Sequence, residues 1–406
     1  MKTIMSSCLL ILNNYELLTD QKRMKTNIYT LIALCVVLIC ACNGTKSDEN
    51  NMNVIEIDLN QAKQISFTEW FDSVQIMPLE TNSQSLIGNI DKVIFNGDLI
   101  YLLDGKFQNV LIFDNCGKFI KNTSHLRGQG PNEYISMTDI GIDEKGDLLI
   151  LDPYSYKVRG YNANLEPASE RDIPKDLLPI GEFKPISNDL YIFNNNNYND
   201  DELFNVFSIK ENKVIKKICS IENGGDAKKM IITRNTCFYR IDDIACFIPG
   251  FPHNQVYYYD SVKVEFLPRM EFKIKQNEFS SNKLRKNQDD SYYVDILKSG
   301  DYAFIIDIKE TDRYYFLSIR YGKETYISRY DKETGENQVI ERPFLEGHIL
   351  LSQMLIKDNA FYMFVDASTI SHEIRYSKNL SEKYKVNIEN ISEDDNPYII
   401  KYFIKD

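Results

Sequence analysis

The sequence predicts an all-β fold, a six-bladed β-propeller with four-stranded antiparallel blades, and three observations carry that reading. The first is a duplicated unit. Gly97-Asp98-Leu99-Ile100-Tyr101-Leu102-Leu103-Asp104 and Gly146-Asp147-Leu148-Leu149-Ile150-Leu151-Asp152 each combine a Gly-Asp turn with a short apolar strand ending in Asp. A second strand follows each, at 110–114 and 158–162. Asp104 to Asp152 and Phe113 to Tyr161 are both 48 residues apart, and two elements that keep one offset mark a repeat. The second is composition. Of 406 residues, 26 are Tyr and 22 Phe, with one Trp, and abundant Ile and Val favour strand over helix. The third is a pair of strand-like stretches near the two ends, Ser73-Val74-Gln75-Ile76-Met77-Pro78-Leu79 and Pro397-Tyr398-Ile399-Ile400-Lys401-Tyr402-Phe403. Paired in one blade, they would close a ring.

Weaker copies of the unit continue downstream. Asp189-Leu190-Tyr191-Ile192-Phe193-Asn194 precedes Phe204-Asn205-Val206-Phe207, and Ile244-Ala245-Cys246-Phe247-Ile248 precedes Gln255-Val256-Tyr257-Tyr258-Tyr259-Asp260. Arg313-Tyr314-Tyr315-Phe316-Leu317-Ser318 and Asn359-Ala360-Phe361-Tyr362-Met363-Phe364-Val365-Asp366 begin the fifth and sixth. A unit of roughly 40–50 residues with four strands is a propeller blade. A lone blade cannot bury both its faces, so blades stack around an axis. One segment breaks the rhythm: Ser281-Asn282-Lys283-Leu284-Arg285 and Tyr292-Tyr293-Val294-Asp295-Ile296-Leu297-Lys298 read as helical, with Gly300 as a stop. This predicts one short helical insertion, acting as a lid or as a packing spacer.

The N-terminal part is of another kind. Lys22, Arg23 and Lys25 precede an apolar run over 28–39, and Ile39-Cys40-Ala41-Cys42 follows. Basic, apolar and small residues in that order are the plan of a secretory signal, and the run is short for a membrane span. Residues 1–41 are therefore expected to be a signal peptide, with 1–23 lying upstream of a true start at Met24. Residues 42–65 are expected to form a lipidated tether and 66–406 the propeller. The Cys after a small residue resembles the lipobox of bacterial lipoproteins, which implies that Cys42 carries the lipid and that the chain is membrane-anchored in the cell envelope. Lys46-Ser47-Asp48-Glu49 resembles the acidic export signal of Bacteroidota lipoproteins, which implies the outer membrane, the alternative being a solvated linker. Two acyl chains hold a protein stably on a bilayer where one does so marginally.

Net charge is −12. Residues 1–41 carry four basic and two acidic side chains, so their loss moves the charge to −14. Such a surface repels phosphate backbones and argues against nucleic-acid binding. Cys116, Cys219, Cys237 and Cys246 remain beyond Cys42, with no C-x-x-C pair to suggest zinc or thiol exchange. One disulfide, for example between Cys237 and Cys246, is compatible with an oxidising envelope.

Between the first two blades lies Leu126-Arg127-Gly128-Gln129-Gly130-Pro131-Asn132-Glu133-Tyr134. Its two glycines allow turns closed to other residues, and Pro131 stiffens the exit. The phrase resembles the glycine-rich loop of NHL-type propellers. It is more similar still to a Gly-Gln-Gly-Pro-Gly-Glu-Tyr phrase in six-bladed propeller lipoproteins of Bacteroidota. Those also open with a stretch like Phe67-Thr68-Glu69-Trp70-Phe71-Asp72-Ser73-Val74 running to Pro78-Leu79-Glu80-Thr81. Asn132 stands where that family usually has Gly. The resemblance implies the fold over the whole mature chain, and no particular activity. Arg127, Gln129, Glu133 and Tyr134 are the candidate ligand-binding residues, at the channel mouth; the alternative is that Glu133 and Tyr134 fix neighbouring blades to each other.

Catalytic motifs are not found. His125, His253, His348 and His372 form no H-x-H or H-E-x-x-H pattern, and there is no G-x-S-x-G elbow, P-loop or dinucleotide fingerprint. No metal and no cofactor is expected. The leading expectation is a non-enzymatic binding or scaffold module for a glycan, a peptide or an envelope protein, using loops around the axis. The alternative is an envelope lyase or hydrolase whose His or carboxylates converge at the propeller axis.

Overall fold

In the computed structural model, residues 52–405 are described, except 196, 198–199, 221–237, 242–243, 250–252, 280–282, 284–289, 342–343, 346–347, 350–353 and 377–390. Six four-stranded antiparallel blades follow one another along the chain. Blade 1 is built from Lys92–Asn96, Leu99–Asp104, Asn109–Asp114 and Phe119–Asn122, innermost strand first. Blade 2 runs from Asp139–Ile142 to Pro167–Asp172, and blade 3 from Phe183–Pro185 to Lys213–Ser220. Blade 4 runs from Phe238–Ile241 to Glu265–Ile274, and blade 5 from Ala303–Glu310 to Asn337–Glu341. Blade 6 takes Leu355–Lys357, Ala360–Val365 and Tyr398–Ile404 from the C-terminal part and Phe71–Pro78 from the N-terminal part.

Why the middle strands read as unbroken apolar runs follows from the side-chain period of two. In Leu99–Asp104, Tyr101 and Leu103 pack toward blade 2 with Ile140 and Ile150. Ile100 and Leu102 of the same strand pack toward blade 6 with Ala360 and Ile399. Both faces are covered, so no polar alternation survives. The same logic fills the other four junctions: Leu149 with Phe183, Val206 with Phe247, Phe272 with Tyr315, and Phe316 with Phe361. Six junction clusters for six blades close the wheel.

The closing seam is the predicted one. Phe71–Pro78 lies antiparallel to Tyr398–Ile404, with Val74 opposite Tyr402 and Ile76 opposite Ile400. Trp70, fully buried, donates its indole N–H to Gln338 Oε1 at 2.7 Å and packs edge-on to Phe316, pinning this seam to blade 5.

The repeated Asp that ends each second strand is a latch. Asp104 and Asp152 are both fully buried. Asp104 accepts the amides of Gly88 at 2.6 Å and Phe107 at 3.0 Å. Asp152 accepts those of Ile135 at 2.8 Å and Tyr154 at 3.2 Å, and the Ser155 hydroxyl at 2.7 Å. Each carboxylate thus ties the loop entering its blade to the loop leaving its second strand, which explains why Asp recurs at a fixed offset.

Three features depart from expectation. Asn53–Ile57, placed in the tether by sequence, is a fifth strand on the outer edge of blade 4, parallel to Glu265–Ile274, with Ile55 opposite Phe272. Ile55, Ile57 and Leu59 enter the junction between blades 4 and 5, so the folded part begins before residue 66. The physical reason is three apolar side chains that gain more from that groove than from water. Asp290–Ser299 is the expected helix, ending at Gly300 with φ +74°, whereas most of 281–285 lies outside the described residues. Ile296 and Leu297 of this helix pack on Phe279 and Phe304. A second ten-residue helix, Ala367–Tyr376, sits within blade 6, and a single turn at Phe67–Trp70 precedes the closing strand.

Candidate functional site: the axial cavity

The six innermost strands surround a cavity of about 640 Å³, within the usual range for small-molecule sites. Cationic side chains at its wall are Lys92, Lys184, Arg240, Lys309, Arg313 and Lys357; the carboxylates are Glu182, Glu310, Asp312 and Asp358. Cations outnumber carboxylates among the lining residues, and Asp139, Asp307 and Asp331 stand behind Lys92, Lys309 and Arg313. A lining richer in cations than in carboxylates, in a chain of net charge −12, favours an anion at this one place, because low-dielectric walls focus the field.

Most of these charges are engaged. Lys92 Nζ is 2.7 Å from Asp139 Oδ1. The other oxygen of Asp139 accepts the Phe183 amide at 2.8 Å, so one carboxylate connects three consecutive blades. Lys309 pairs with Asp307 at 3.0 Å, and Arg313 with Asp331 at 2.9 Å. Lys357 donates to the Gly97 carbonyl at 2.5 Å. Lys184 is half-buried on the innermost strand of blade 3, and its ammonium makes no hydrogen bond and no ion pair among the described residues. Its ammonium is pushed down to about 8, first by burial and then by the charges of Lys92 and Arg240, against the pull of Asp139 and Glu182.

On the blade 5 side the wall contains a carboxylate node. Glu310, whose side chain is fully buried, accepts the Tyr239 hydroxyl at 2.6 Å and lies 2.6 Å from Lys332 Nζ and 3.3 Å from Arg269. Burial and the Glu310 charge hold the Tyr239 phenol well above its ordinary range. Cys246 sits beside this node, 3.9 Å from Arg269, with its thiol raised by burial and by Glu310. Two cations and a phenol satisfy the buried carboxylate, as burial of a charge requires. The node fastens blade 4 to blade 5.

The residues singled out by sequence lie elsewhere. Tyr134 is fully buried between blades 1 and 2. Its hydroxyl donates to the Gln108 carbonyl at 2.9 Å and lies 3.0 Å from Thr123 Oγ1, and burial pushes it up to about 12. Glu133 accepts the Gly130 amide at 2.8 Å. A Cβ on Gly128 would lie 2.0 Å from the Glu133 carboxylate, so the loop closes this tightly only with glycine there. Asn132 has φ +63°, a left-handed conformation that Asn tolerates and Gly prefers. Arg127 and Gln129 are exposed. These four share one loop, and none of them lines the cavity.

His125 is exposed on that loop, and His253 is buried behind blade 4 with Nε2 unpartnered among the described residues. They do not meet in the cavity; the side chains of His348 and His372 are outside the described set. Among the described residues, no group of His, Cys, Asp and Glu is arranged to hold a metal. Cys246 is a free buried thiol, so a Cys237–Cys246 bridge is not made; its sulfur faces Arg269 within the inter-blade packing. Cys237 and the lipidation candidate Cys42 lie outside the described residues. No helix of the described residues is long and apolar enough to cross a membrane.

Fold and cavity together define the chain as a six-bladed β-propeller with a charged axial well. It belongs to the family of the domain of unknown function DUF4934, which matches residues 52–403. Among solved structures it is similar to a candidate exported protein of Bacteroides fragilis, at 20% identity and TM-score 0.68, covering 87% of this chain and 100% of that one. A DUF4221-family member from Bacteroides vulgatus matches at 11% identity and TM-score 0.46, over 86% and 99% of the two chains. Among the curated proteins, no sequence matches this chain.

Proposed function

We propose that this chain is an envelope lipoprotein, held by Cys42, that uses the propeller as a rigid frame for binding a small polar ligand in the axial cavity. The observation that carries the reading is a cation-lined well of about 640 Å³ in an acidic protein. Propeller blades fix side chains from six separate strands around one point, which preorganises a site without mobile loops. The basic–apolar–small–Cys order of residues 22–42 supports export and lipidation, and the fold shared with an exported-protein candidate of Bacteroides fragilis agrees with it. The NHL-like lipoproteins of Bacteroidota remain the family that the loop over 126–134 resembles. The site reading is closer to a glycan- or peptide-fragment receptor than to a scaffold for a large partner, because the polar groups converge inward.

Two experiments test this. Protein labelled at isoleucine methyl groups would be titrated with mono- and disaccharides and with dipeptides. The expected outcome is shift changes concentrated at Ile94, Ile241, Ile308 and Ile356, which line the cavity from four blades. Changes confined to other isoleucines, or no response to any compound, would overturn the axial site. For the anchor, cells fed radiolabelled palmitate should label the wild-type chain and not Cys42→Ala; equal labelling of both removes the lipoprotein reading.

A further inference from the structure

We infer that the axial cavity is a seat for the single carboxylate of a small acidic ligand, with Lys184 as the group that meets it and Lys92 and Arg240 flanking it. The inference rests on the axial-site reading above and names its ligand class. The charges that act most strongly on Lys184 are the cations Lys92 and Arg240 and the carboxylates Asp139 and Glu182. With Lys184 itself the set is one positive charge in excess. One monoanionic group neutralises it, whereas a dianion overshoots.

Geometry separates Lys184 from the other cavity cations. Lys92 already has Asp139 at 2.7 Å, Lys309 has Asp307 and Arg313 has Asp331. Lys184 is half-buried among the blades and its ammonium has no such partner among the described residues. A crowded ammonium without a direct ion pair destabilises the empty protein, and such costs concentrate at binding sites. A carboxylate at Lys184 would make a charge-assisted hydrogen bond in a low-dielectric well, where these bonds are strongest. The lowered ammonium affinity for its proton agrees with this: an arriving anion restores the proton. The enclosed volume of about 640 Å³ suits a sugar acid or a short acylated amino acid better than a polymer.

Isothermal titration of the full chain with glucuronate, N-acetylalanine, glucose and inorganic phosphate tests this. We expect one or both monocarboxylates to bind, with glucose at least about tenfold weaker than glucuronate. The better of the two monocarboxylates identifies the source as sugar acid or amino acid. At pH 8, titration in two buffers of different ionisation heat should show uptake of about half a proton per carboxylate bound. Lys184→Met should weaken carboxylate binding by at least about tenfold, while Lys184→Arg keeps it within a few-fold. Equal affinity for glucuronate and glucose, or unchanged affinity in Lys184→Met, would overturn the carboxylate seat even where the cavity isoleucines respond to ligand. Tighter binding of phosphate than of either carboxylate would overturn it as well. No isoleucine response to any compound would remove the axial site itself.

Discussion

The ammonium of Lys92 and the carboxylate of Asp139 meet at 2.7 Å across the junction of blades 1 and 2, and the same carboxylate accepts the Phe183 amide at the start of blade 3. This contact lies at the inner rim, where blades converge and side chains are shortest of room. Asp139→Ala removes the carboxylate that both the Lys92 ammonium and the Phe183 amide meet. The expected loss is about 3 kcal/mol of unfolding free energy, the scale for breaking a buried pair. Urea titration followed by the fluorescence of Trp70, the sole tryptophan, measures it; a loss below about 1 kcal/mol would mean that the contact is dispensable.

Lys184 carries the opposite expectation. Its folded-state value is lowered from 10.5 to about 8. Below pH 8 both folded and unfolded chains hold the proton, and the full cost of the enclosed charge is present. Between pH 8 and 10.5 the unfolded chain holds a proton that the folded one has released, so stability through this group rises with pH. Lys184→Met should therefore stabilise the ligand-free protein at pH 7 by about 2 kcal/mol, and the gain should shrink toward pH 10. Melting curves at pH 7 and pH 9.5 check both parts. A variant less stable than wild type at pH 7 contradicts the uncompensated charge.

His253 gives an acid-side signature. Burial pulls its imidazole down to about 4 from 6.5. As pH falls from 6.5 toward 4, the unfolded chain takes up a proton that the folded one refuses, so stability is lost through that window. The contribution between pH 7 and pH 4.5 is about 2–3 kcal/mol. His253→Phe should flatten this part of the stability profile; an unchanged slope would assign acid sensitivity to other groups.

The loop over 126–134 separates two roles by mutation. Tyr134→Phe removes the hydroxyl shared by Gln108 and Thr123 and should cost about 1–2 kcal/mol. Arg127→Ala and Gln129→Ala, on exposed residues, should stay within about 0.5 kcal/mol. Loss of ligand-induced isoleucine shifts in Arg127→Ala or Gln129→Ala at unchanged stability would return this loop to the binding site.

Among the described cysteines, Cys116 is exposed and Cys219 and Cys246 are buried. Burial and the Glu265 charge push the Cys219 thiol up. Maleimide labelling of native protein with mass mapping should modify Cys116 well before the other two, which should react on unfolding. Early labelling of Cys246 would show that the junction of blades 4 and 5 opens readily.

The blades were legible because their middle strands are covered on both sides. Tyr101 and Leu103 serve one neighbour, Ile100 and Leu102 the other, and the result is a run of apolar letters that repeats. The closing strands were legible for the same reason. The innermost strands were not: Phe183–Pro185 has three residues, too few for a pattern, and one of them is Lys184. Site residues on such strands come singly from different blades, so no spacing links Lys92, Lys184 and Arg240 before the ring forms. Arg127-Gly128-Gln129-Gly130 stood out as a phrase instead, because a loop built on its own Glu133 and Tyr134 contacts needs contiguous residues. Ala367–Tyr376 escaped because its Thr, Ser and Ile letters suit strand and helix alike, and Asn53–Ile57 because three apolar residues among polar ones look like linker.

The blade shared by the two chain ends sets a schedule for manufacture. Phe71–Pro78 leaves the ribosome long before its partner Tyr398–Ile404, so the wheel stays open until the later strand has been made. Pairing across so long a contour is slow. Until the later strand arrives the earlier one has no mate, so the ring shuts in one late event rather than blade by blade.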